Sequence, residues 1–159
     1  MNPTEITHAG LADLIAKWWF YYDEWEPGVL RALLADDFTL SCRSDTGRTS
    51  YEEFIRCDLH GADEAMAWKE DHRLNSPYPL RHNGSNVIIT SRSDTEVSFT
   101  SYIFVTKILE GRPYLLSTGI TSGSARVTLK GLLLQSIHTV LDTQDSVRYA
   151  DRPAVGSAF

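Results

Sequence analysis

The rhythm of hydrophobic and polar positions changes once along this chain. In the first half, apolar side chains recur at helical spacing: Leu11, Leu14, Ile15, Trp18 and Tyr22 form one stripe. Thr4, Glu5 and Thr7 precede that stripe as N-terminal caps. Its end is expected near "DEWEPG", because the residue before Pro27 is pushed out of helical geometry. Pro27 is suited to open a second short helix, "PGVLRALLADD". "DFTLSCR" then reads as a short strand. Ser50 with Glu53 three residues on has the form of a capping box, opening a third helix, "YEEFIRCDLHGADEAMAW", with Gly61 as a point of interruption.

After "SPYP" the pattern becomes that of strands. "SNVIITSRS", "TEVSFTSYIFVTKIL", "RPYLLSTGITSGSARVTL" and "LLLQSIHTVLD" are rich in β-branched and aromatic residues. Turn signals separate them at Ser93-Asp94, Glu110-Gly111 and Lys130-Gly131, giving a meander of long antiparallel strands. Helices followed by a meander predict an α+β domain. Three N-terminal helices pack in a strongly curved mixed or antiparallel sheet, and the concave face forms a pocket. Gly119 and Gly123 are placed to bend the strands. The expected organisation is one domain over residues 1–144 and a weakly patterned tail over 145–159.

Composition narrows the function classes. The chain has 159 residues, 42% hydrophobic and 11% aromatic, with a net charge of −6 and no run of Lys or Arg. Nucleic-acid binding, which needs a basic face to displace counterions, is disfavoured. Two cysteines, Cys42 and Cys57, are too few for a disulfide scaffold, and no paired His/Cys spacing suggests a metal site. The N-terminus lacks an apolar leader, and no apolar run approaches the ~20 residues that cross a bilayer, so a cytoplasmic protein is expected.

Several segments, in order, resemble the NTF2-like superfamily and its SnoaL-like branch: "VLRALLADDFTL", "YPLRHNGSNVII" and "VTLKGLLLQSIHTVLD". The resemblance runs over roughly residues 8–142 and implies a cone-shaped cystatin-like fold. One branch it resembles comprises scytalone dehydratase-type lyases, whose Tyr-Asp pair matches Tyr22-Asp23 and whose pocket histidine matches His82. That family's second pocket tyrosine falls here at Cys42, and its second active-site histidine at about Lys107. The other branch is the β subunit of ring-hydroxylating dioxygenases, a non-catalytic scaffold, to which "LRHNGSNV" and "LLADDFTL" are similar.

The resemblance implies a small lyase or isomerase needing no metal and no organic cofactor. Its substrate would be a hydrophobic hydroxy-carbonyl compound: aromatic, polyketide or steroid-like. His82 would serve as general base and acid, Asp23 as its orienting partner and Tyr22 as an auxiliary donor. The residue pattern alone is less generous. On an ideal helix Asp23 lies roughly 130° from the centre of the apolar stripe, facing solvent unless the helix ends at the pocket mouth. Trp18 and Trp19 are expected as core and pocket wall. Tyr102 and Phe104 share one strand face and either line the cavity or bury outward against a neighbouring subunit. Arg81 reads as half of a surface ion pair and His138 as a satisfied sheet histidine, while His8, His60 and His72 show no useful spacing. The alternatives are the scaffold role, partnered by an oxygenase α subunit, and a module that binds a small ligand without turnover. A homo-oligomer, dimer or trimer, is expected in each case.

Overall fold

The structure, a computed structural model, describes residues 7–129 and 131–152. Helix α1 (His8–Asp23) is capped by Thr7, whose hydroxyl accepts the Gly10 amide at 3.0 Å; Thr4 and Glu5 lie outside the described residues. Helix α2 (Pro27–Ala32) opens on Pro27 as expected, but stops before "LLADD". Those residues instead begin β1 (Leu34–Ser44), because Leu34, Ala35 and Phe38 are buried along it. The expected third helix is divided. A single turn, α3 (Glu52–Ile55), is followed by β2 (Cys57–His60) and then by α4 (Ala62–Leu74). Gly61 sits at the break with φ 103°, a backbone region that L side chains rarely adopt. No Ser50–Glu53 box forms. Tyr51 precedes α3 without a side-chain cap, and Glu52 turns back onto β1, accepting hydrogen bonds from the amide and hydroxyl of Ser44.

The remaining strands are β3 (Leu80–Arg92), β4 (Glu96–Leu109), β5 (Arg112–Thr128) and β6 (Gly131–Leu141). They form one sheet in the order β2-β1-β6-β5-β4-β3. Every pairing is antiparallel except β1 with β6, which is parallel, so the sheet is mixed. The β4–β5 hairpin turns on Glu110 and Gly111, both with positive φ, the geometry a two-residue turn requires. After Leu141 the chain is irregular apart from a 3-10 turn over Tyr149–Asp151; residues 153–159 lie outside the described residues.

Curvature comes from irregular register. Bulges interrupt β3 at Ser85/Ile88, where Asn86 has φ 54°, and β6 at Gln135, between the partners of Ser124 and Ala125. Gly123 and Gly119 lie where β5 presses hardest on β6: a Cβ on Gly123 would stand 2.1 Å from the Ser136 carbonyl oxygen, and one on Gly119 2.3 Å from that of Val140. Helix α1 lies against the concave face, packed on β3, β6, α2 and α4. Surrounded on several sides, it buries Trp19 and Asp23 as well as the expected stripe. Trp18, Tyr22, Phe38, Phe99, Leu134 and Ile137 form the centre of the core.

Candidate functional site

Three elements bring the polar groups together. The last turn of α1 carries Tyr22 and Asp23, both almost fully buried. Arg73 of α4, itself buried, donates from Nε and Nη2 to the backbone carbonyl of Asp23 at 3.0 and 2.9 Å, satisfying an acceptor the helix end would leave open. Strand β3 begins beside this end. Its residues Leu80, His82 and Gly84 alternate with outward positions, so the His82 ring faces inward. A Cβ at Gly84 would lie 3.0 Å from the Trp19 ring, so glycine there admits the close approach of helix and strand.

Asp23 accepts twice from His82: from ring Nδ1 at 2.6 Å and from the backbone amide at 2.7 Å. A carboxylate only accepts, so the shared proton sits on Nδ1 and Nε2 is left with its lone pair. The imidazole lies parallel on Trp19, with ring centroids 5.0 Å apart and planes 8° apart, and meets the edge of Tyr22. Burial pushes the His82 imidazole below its usual range, and Asp23 opposes that shift.

His82 opens onto a cavity of about 300 Å3 between the helices and the sheet. Its walls are mostly apolar: Leu40, Leu80, Ile103, Val105, Ile137 and Trp19. Tyr51 and Phe54, both partly exposed, stand at its rim. Its polar side is contributed by α4 as well as β3. His72 is clasped between Phe54 and Trp68, with ring centroids at 4.3 and 4.6 Å. The Tyr22 hydroxyl hydrogen-bonds to its Nδ1. Burial raises the Tyr22 hydroxyl above its ordinary value, so it remains protonated and donates. Burial, then the charge of Lys69, pulls His72 down to about 3, so this ring stays neutral and carries its proton on Nε2. Lys69, on the same face of α4, also lines the cavity.

The expected pocket residues divide. Trp19 and Cys42 line the cavity. Burial pushes the Cys42 thiol up to about 12, which excludes a thiolate nucleophile at neutral pH. Trp18 does not line it: it is fully buried in the core against Phe38. Tyr102 and Phe104 do not line it either. Both are exposed on the outer face, because the alternation of β4 turns Ile103 and Val105 inward. Tyr22 is likewise absent from the walls; its hydroxyl is committed to His72, so it reaches the cavity only through that ring. Arg81 pairs with Glu24 at 3.1 Å, and His138 with the Ser41 hydroxyl at 2.7 Å.

His72 and Lys69 were missed by residue spacing. The available signal was helical: Ala62, Ala65, Lys69 and Arg73 fall on one buried face of α4, placing two cations where apolar residues are expected. Among the described residues, no group of three or more His, Cys, Asp or Glu side chains is placed to hold a metal ion. No helix among them is long and apolar enough to cross a membrane.

No family model matches this sequence, and no curated protein matches it. Solved structures do. An NTF2-like protein with a cystatin-like fold from Novosphingobium aromaticivorans aligns with TM-score 0.68 at 15% identity, over 84% of this chain and 80% of its own. A putative scytalone dehydratase from the same organism aligns with TM-score 0.64 at 16% identity, over 88% of each chain. The β subunit of a putative aromatic-ring-hydroxylating dioxygenase, again from that organism, gives TM-score 0.65 at 14% identity, over 87% of this chain and 91% of its own. At such identities the likeness shows the fold alone, and the fold of this chain is cystatin-like.

Proposed function

We propose that this protein is a cofactor-independent lyase or isomerase of dehydratase type, acting on a hydrophobic hydroxy-carbonyl compound of aromatic, polyketide or steroid-like character. The observation that carries this reading is the buried Asp23–His82 pair opening onto an apolar cavity. His82 Nε2 takes the proton alpha to the carbonyl, and the C–H electron pair passes onto the carbonyl oxygen as an enolate. Asp23 stabilises the imidazolium that results. The enolate collapses, expelling the β-hydroxyl, which leaves as water after receiving the proton from His82. His72, held by Tyr22, offers its Nε2–H to the carbonyl oxygen, so Tyr22 acts as a positioning residue. A neutral imidazole is suited to that task, since it donates without competing for the proton. The apolar walls exclude water and strengthen each of these interactions.

The scaffold reading requires a filled cone and a larger iron-bearing partner, and a cavity of about 300 Å3 weighs against it. The deciding experiment incubates the protein with a panel of two- and three-ring β-hydroxy ketones in D2O and follows the α-proton and loss of water by NMR. Exchange or dehydration that disappears in His82→Asn supports the reading. A panel that binds without exchange in the wild type overturns it in favour of a ligand-holding module, and copurification with an iron protein overturns it in favour of a scaffold.

A further inference from the structure

The most unusual group in the cavity is a cation. Lys69 is 6% exposed, lines the cavity, and has no hydrogen-bond or ion-pair partner among the described residues. Buried lysines are normally paired, because an ammonium taken out of water loses its hydration. Here the ammonium is surrounded by ring faces: Tyr22 at 4.0 Å, Trp18 at 4.9 Å, Trp19 at 5.4 Å and Trp68 at 5.7 Å from centroid to Nζ. Ring faces supply part of the lost stabilisation and no hydrogen-bond acceptor. Of the groups that face it from neighbouring elements, only the Asp23 carboxylate is anionic, and it favours the ammonium's charge without forming an ion pair with it. Cys42 and Cys57 are held as thiols by burial, His72 is neutral, and the Asp23 carboxylate is committed to His82. No Asp, Glu or Arg lines the cavity. Three ammonium N–H donors therefore stand beside a mostly apolar chamber with no hydrogen bond made among the described residues.

We propose that Lys69 is the anion-recognition point of this cavity, and that its ligand is a flat, largely apolar molecule bearing one acidic oxygen, a carboxylate or an ionised phenol. The aromatic box fixes the ammonium in place, and the ligand's oxygen completes its coordination. This rests on the reading of the cavity as a small-molecule site and adds to it the charge of the ligand. Burial lowers Lys69 to about 8, still above neutral, so the group remains predominantly cationic when the ligand arrives.

The test is equilibrium binding, read by tryptophan fluorescence and by calorimetry, of 2-naphthoate and its neutral counterpart 2-naphthalenemethanol. Wild type should prefer the acid by roughly 10- to 100-fold, the range of a hydrogen bond to a charged group. Lys69→Met should abolish the preference while still binding the alcohol, which also shows that the variant is folded. Lys69→Arg should retain part of it. Equal affinity of wild type for the two probes overturns the proposal, leaving the cavity reading intact and the aromatic box as the ammonium's only partner. An acid preference unchanged in Lys69→Met also overturns it. Failure of both probes to bind overturns the proposal together with the small-molecule reading of the cavity.

Discussion

Asp23 holds His82 by two points at once, the ring and the backbone of the same residue, at 2.6 and 2.7 Å. A carboxylate so used sets the direction of the imidazole as well as its tautomer. Asp23→Asn should therefore act in two ways. Its amide nitrogen cannot accept, so one of the two bonds is lost and the ring is free to adopt the other tautomer. Turnover in the dehydration assay should fall by about 10²- to 10⁴-fold, the usual worth of acid–base assistance, with His82→Asn falling as far. Stability should drop by about 1–3 kcal/mol for the buried donor left unpaired. Unchanged kinetics in both variants would count against any proton transfer at this pair.

Acidity should act on the fold through the two histidines. His72 is pulled down to about 3 and His82 is shifted in the same direction, burial being the first cause for each. When unfolded, each takes up a proton near the ordinary histidine value of about 6.5. In that interval the unfolded chain binds more protons than the folded one, so stability falls as pH falls from about 6.5 toward 3. The slope for His72 alone approaches about 1.4 kcal/mol per pH unit. Denaturant titrations at pH 7, 6 and 5 should show this decline, with a shallower slope in His72→Asn. An identical slope in that variant would remove His72 as its source.

Lys69→Met should raise stability while lowering affinity for acidic ligands. Burial lowers the folded lysine to about 8 from an ordinary value near 10.5, so the fold loses stability by holding the ammonium, still mostly charged at neutral pH, out of water. An apolar chain of similar length relieves that cost and keeps contact with the surrounding rings. The expected gain is about 1–3 kcal/mol, a few degrees in Tm for a domain of this size. A lower Tm would mean that contacts of the ammonium with the four rings outweigh its desolvation.

Gly123→Ala should be severe. The added Cβ would meet a β6 carbonyl oxygen at 2.1 Å, and backbone cannot step aside as a side chain can. A loss of roughly 3 kcal/mol or more is expected, measured by denaturant unfolding. Gly28→Ala, where nothing lies within 4 Å, is the matched control. It should change little.

Much of the architecture was legible because the strands announce themselves: β-branched and aromatic runs separated by turn residues place β4, β5 and β6 within a residue or two. Parts of the middle were not. The run from Leu34 to Asp37 suits a helix by composition, yet Leu34 pairs with Leu134 of β6 across a register shift, and β1 begins there instead of at Phe38. Cys57–His60 lies in a segment of helical propensity and is recruited as an edge strand. In the site, Asp23 sits far from the expected stripe because that stripe assumes a helix with one buried face, whereas α1 is enclosed by β3, β6, α2 and α4. His72 and Lys69 were hidden by a related effect: on α4 the cations Lys69 and Arg73 share the buried face with Ala62 and Ala65, so no apolar stripe marks it. Tyr102 and Phe104 were open to either face by alternation alone, and only the register of β4 against β3 and β5 decides it.

The two bonds from Arg73 to the carbonyl of Asp23 give residue 23 a double employment. Its side chain anchors the His82 ring on β3, and its main chain is tethered to the helix that carries Lys69 and His72. Swinging α4 away to admit a bulky molecule would tug on the very peptide that aims the imidazole. The seating of α4 and the aim of the His82 ring are thereby mechanically linked through a single residue.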